Sequence, residues 1–86
     1  MGLIEELLEE RGSVHGDFAE LSGVSQAIKA IAREKITDPV LLEALDLIST
    51  KIARIIAGDH TLHDHWDDIA GYATLASRQL KEDKND

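Results

Sequence analysis

Apolar residues recur at every third or fourth position along most of this chain, and no stretch alternates strictly between apolar and polar. That period is the signature of amphipathic helices, and four are predicted. Leu3, Ile4, Leu7 and Leu8 form a narrow stripe on a first helix over about 3–11, which Gly12 ends, leaving GSVHG as a loop. Asp17 and Glu20 have the spacing of a capping box at the start of a second helix, 17–35. Its stripe is Phe18, Leu21, Ser25, Ile28 and Ala32, widened by Val24 and Ile31, with Phe18 as a core anchor. Asp38 and Pro39 mark a third start, because Asp can cap and proline at the first helical position loses nothing by lacking an N–H. This helix spans 39–57 and is stopped by Gly58. Leu41, Leu45, Ile48, Ile52, Ile55 and Ile56 make its main stripe, while Val40, Leu42 and Leu47 spill onto other faces. A helix apolar on more than one face is central or lies at a subunit interface. The fourth helix covers about 62–81 on a stripe of Trp66, Ile69, Ala73 and Leu80, and the charged tail 82–86 is expected to be disordered.

Four helices on short connections predict an all-α fold, a small four-helix bundle. The 86 residues make one domain, 1–86, with no cysteine to staple it and few aromatics to fill it. So short a chain is marginal alone, so the bundle is expected to be completed by homo-oligomerisation. The balance of nine Lys and Arg against seventeen acids gives a formal charge of −8. Double-stranded nucleic acid is disfavoured as a partner, because binding it needs a cationic face. No apolar run approaches the ~20 residues needed to cross a bilayer. The opening MGLIEELLEER lacks the basic and long apolar regions of a signal peptide, so the expected location is cytoplasmic, the host cytoplasm if the gene is phage-borne.

The densest candidate chemistry lies in HTLHDHWDDIAGYATL, residues 60–75, which crowds three histidines and three aspartates into its first nine positions. On a helix, His60, Asp64, Asp67 and Asp68 share a face, and His65, Asp68 and Tyr72 form a second row. Carboxylates so placed suit Mg²⁺ or Mn²⁺, and imidazole suits Zn²⁺ or Ni²⁺. Acids in a first turn also complement the helix dipole without any metal. Glu43 and Asp46 on the third helix, with Asp64 and Asp67 on the fourth, make two acid-x-x-acid elements on antiparallel neighbours. The candidate metal set is therefore Asp46, Asp64, Asp67 and Asp68. Lys51 and Arg54, one turn apart, are candidate phosphate ligands, although cations near a helix end also simply answer its dipole. His15 and Asp17, around Gly16 at a helix start, are a second candidate anion site, the alternative being an ordinary capped turn. Trp66 and Tyr72 read as core or interface anchors.

HGDFAE, KIARIIAGD and DHWDDIAGYATL together resemble a family of short phage and prophage proteins of unassigned function, over residues about 11–77. More distantly, the chain is similar to the all-α, MazG-like and dimeric dUTPase-like nucleotide pyrophosphohydrolases. That resemblance implies an oligomer that holds Mg²⁺ on acid-x-x-acid elements and cleaves nucleoside triphosphates to monophosphate and pyrophosphate. The match is in the spacing of Glu43/Asp46 and Asp64/Asp67. The departures are that three of the four acids are Asp, and that Lys51 and Arg54 follow the first pair. Three expectations follow: a metal-dependent nucleotide hydrolase, an oligomeric module that binds or sequesters a nucleotide without cleaving it, or a structural interaction bundle.

Overall fold

The computed structural model describes residues 2–15 and 17–84, and the side chains of 2–9 and 17–84. It is all-α: α1 spans Gly2–His15, α2 Phe18–Lys35, α3 Pro39–Ala57 and α4 His63–Lys84. The capping reading of the sequence is realised. The Glu20 N–H donates to Asp17 Oδ2 at 3.0 Å, and the Val40 and Leu41 N–H groups donate to Asp38 Oδ1 at 2.9 and 3.2 Å. Each carboxylate thus satisfies donors that a helix start leaves without partners. Gly58 closes α3 by donating to the Arg54 carbonyl at 3.0 Å, with φ −125° and so outside the left-handed region.

α3 is the central helix, packed along α2 on one side and α4 on the other. The connections are short, and ion pairs join Arg33 in the last turn of α2 to Asp46 in the first half of α3, and Lys51 in the second half of α3 to Asp68 in the second turn of α4. Both flanking helices are therefore antiparallel to α3. α1 touches α3 only lightly, and the molecule measures 56 × 25 × 22 Å.

Three expectations are corrected here. Gly12 does not end α1, which continues to His15. A glycine inside a helix costs only about 1 kcal/mol, too little to force a stop. α4 likewise continues to Lys84, so residues 82–84 of the expected disordered tail are helical, and 85–86 lie outside the described residues. Phe18 anchors no core; it stands 79% exposed.

The predicted stripes of α2 and α3 are largely covered, with Leu21 and Ser25 buried and Val24, Ile28, Ala32, Leu41, Leu45, Ile48, Ile52 and Ile55 half-buried. The fully buried residues among those described are Leu21, Ser25, Ser49, Ala53 and His65, while twelve large apolar side chains stand exposed. The most covered positions of α2 and α3 include the small residues Ser25, Ser49 and Ala53. Ser49 satisfies its own hydroxyl by donating to the Leu45 carbonyl at 2.6 Å. On α4 the covered residues are His65, Asp68, Ile69, Tyr72, Ala76 and Gln79; of the predicted stripe Ile69 is half-buried, while Trp66, Ala73 and Leu80 are exposed.

Candidate functional site

The site is assembled where the end of α3 meets the start of α4. The connection is held by a local turn in which Asp59 Oδ1 accepts from both the Thr61 N–H, at 2.9 Å, and the Thr61 hydroxyl. Those bonds, the hydroxyl's first, hold the Asp59 carboxyl below its ordinary pKa. Trp66 reaches back from the first turn of α4, and its indole N–H donates to the His60 carbonyl at 3.0 Å. Trp66 therefore pins the loop from outside instead of filling a core.

The seam between α3 and α4 is polar. Lys51 Nζ lies 2.8 Å from Asp68 Oδ2, with the lysine side chain mostly covered. The hydrogen bond from Lys51 is the chief cause that holds the Asp68 carboxyl below its ordinary pKa. His65, 2% exposed, sits in the same seam one turn before Asp68. Arg54 is half-buried, and its Nε is buried with no hydrogen-bond partner among the described residues. On the outer side of this seam, Asp67, Asp68, Gly71, Tyr72, Thr74, Leu75 and Arg78 line an open groove of about 430 Å³.

Around the mouth of α4, the His63 imidazole and the carboxylates of Asp64 and Asp67 offer three ligand atoms within 4.8 Å of one another, all exposed. His63 Nδ1 is 3.0 Å from Asp67 Oδ2 and 3.4 Å from Asp64 Oδ1. Its bond to Asp67, and then the charge of Asp64, raise its pKa above the ordinary imidazole value. Two carboxylates and one imidazole form a donor set suited to a divalent cation, with the nitrogen favouring Mn²⁺ over Mg²⁺.

The predicted site residues are thus divided. Asp64 and Asp67 come together, but their third partner is His63. Asp68 faces Lys51 across the seam, and Asp46 lies on the other side of α3, where Arg33 Nη2 of α2 donates to its Oδ2 at 3.2 Å. Among the described residues, neither joins the His63 group. Glu43 is exposed and separate from Asp46's partner. Lys51 and Arg54 share the α3 end as expected. Asp17 is occupied as the α2 cap, and the side chain of His15 lies outside the described residues. His63 was missed because the face was drawn through His60, which lies before α4; counted from His63, the i, i+4 relation to Asp67 is evident. Arg33 was missed although its place in the last turn of α2 puts it opposite the early turns of an antiparallel α3. Comparison of the chain with protein-family models, curated proteins and solved structures gave no match.

Proposed function

We propose that this chain binds a phosphorylated nucleotide at the polar α3–α4 seam, with the nucleotide pyrophosphohydrolase class as the reaction it serves. The observation that carries the reading is the gathering of covered ionisable groups in one place. Lys51 and Arg54 are half-buried and His65 is buried at this seam, with Asp68 paired to Lys51. Covering such groups is costly unless they are paired or used, which makes their collection in one place a mark of a site.

The roles follow from the chemistry of each group. Lys51 supplies a point charge and Arg54 a planar fork for phosphate oxygens. Asp68 holds Lys51 in place until phosphate competes for it. His63, Asp64 and Asp67 would hold Mn²⁺ or Mg²⁺, which when bound neutralises phosphate charge and polarises a water. Tyr72 and Leu75, on the adjoining groove, give a base or sugar an apolar wall.

The test is incubation of the pure protein with a mixture of nucleoside triphosphates and Mn²⁺ or Mg²⁺, followed by chromatography. Metal-dependent conversion of a triphosphate to monophosphate and pyrophosphate, lost in Lys51→Ala, is the expected result. Binding with every nucleotide recovered intact would instead favour a sequestering module. The absence of both would leave the interaction bundle, a reading favoured separately by the exposed apolar side chains.

A further inference from the structure

The most exposed apolar feature of the molecule is α1. Leu3, Ile4, Leu7 and Leu8 lie along one side of it, and each is open to solvent. A helix of 14 residues is marginal in water on its own propensity, so its stability must come from packing. The three-helix body offers a complementary feature. Between the first half of α3 and the second half of α4 runs an apolar groove of about 470 Å³, walled by Val40, Ala44, Leu47, Tyr72, Leu75 and Ala76. Val40, Leu47 and Leu75 are exposed along it.

We infer that α1 of one copy of this chain docks in the α3–α4 groove of a second copy, and the reverse, forming an arm-exchanged dimer. Connectivity favours the second copy. α2 is antiparallel to α3, so α1 leaves the body at the end where α3 finishes, whereas the groove runs along the half of α3 that begins it. A two-fold axis that sets the α3 helices of two copies antiparallel brings each arm beside the other copy's groove, as an isologous contact requires. The groove is nearly uncharged, with Glu43 the one charged lining residue, so the contact is an apolar one; the last turns of α4 beside it mix Arg78, Lys81 and Lys84 with Glu82 and Asp83. Two such contacts, each burying four large apolar side chains and the wall they cover, come to on the order of 1,500 Å², the size of a standard specific interface. Tyr72 and Leu75 line both this groove and the one beside the seam, so the inference shares a wall with the nucleotide reading, but its test is the oligomeric state and is read without nucleotide.

The chain has no cysteine, so single reporters can be placed at will. Leu7→Cys and Leu75→Cys are made separately, mixed, and oxidised with oxidised glutathione; sedimentation is measured on the wild type and on Leu7→Glu. A disulfide-linked heterodimer, a dimeric wild type and a dissociation constant raised at least tenfold in Leu7→Glu are expected. Leu7 is exposed on the arm, so Leu7→Glu leaves the three-helix body folded, which circular dichroism verifies. The chain carrying both cysteines distinguishes the remaining possibility. If it closes on itself as a linked monomer, the arm occupies its own groove and the proposal is overturned. A monomeric wild type, or a dimer indifferent to Leu7→Glu, overturns it equally.

Discussion

His63 reports on the site through its own titration. Its folded pKa is raised by its bond to Asp67 and by the charge of Asp64. The stabilisation from that pairing is therefore fully present below the ordinary imidazole value and is lost as pH rises through the higher folded value. An NMR titration should find the His63 midpoint above those of free imidazoles, and Asp67→Asn should return it toward the ordinary value. Addition of Mg²⁺ should lower the midpoint, because a metal competes with the proton for the same nitrogen; a midpoint indifferent to the cation would remove His63 from the metal set. Asp68 has the opposite sign. Its folded pKa is depressed chiefly by Lys51, so its contribution is present above the ordinary carboxylate value and fades as pH falls through the depressed one. Lys51→Ala should bring its midpoint back up.

At the scale of the helices, two substitutions test what holds them. Ser49 is 1% exposed at the centre of α3, with no room for a larger side chain. Ser49→Leu should cost about 1–3 kcal/mol by forcing the helices apart, despite being more apolar, and urea unfolding measures it. Asp38→Ala removes the acceptor of two α3 N–H groups and should cost about 1 kcal/mol by the same assay. The sequence made the ends of α2 and α3 legible because Asp17, Asp38, Pro39 and Gly58 act locally. It misled on α1, where a single glycine was read as a stop that helix propensity does not require. It misled also on α4, where counting apolar residues chose the face of Trp66 and Ala73. The face that packs is built from His65, Asp68, Ile69 and Tyr72, and the position of α3 decides that. For the same reason the pairing of Asp46 with Arg33 and of Lys51 with Asp68 was not legible, since each partner comes from a different helix.

At the scale of the molecule, two features stand out: covered Lys51, Arg54, Asp68 and His65 at the α3–α4 seam, and exposed apolar side chains concentrated on α1. No helix among the described residues is long and apolar enough to cross a membrane. With a formal charge of −8 per chain, copies repel one another. Raising salt should therefore strengthen self-association, while it weakens phosphate binding at Lys51 and Arg54; sedimentation and nucleotide titration across a salt series would show the two trends diverging. The most direct test of the seam is isothermal titration of a nucleoside triphosphate, with Mn²⁺ present, into the wild type and Lys51→Ala. Saturable binding that is lost in Lys51→Ala, with circular dichroism unchanged, is the expected result for a nucleotide held at the seam. Absence of saturable binding by the wild type, or equal binding by the variant, would contradict it.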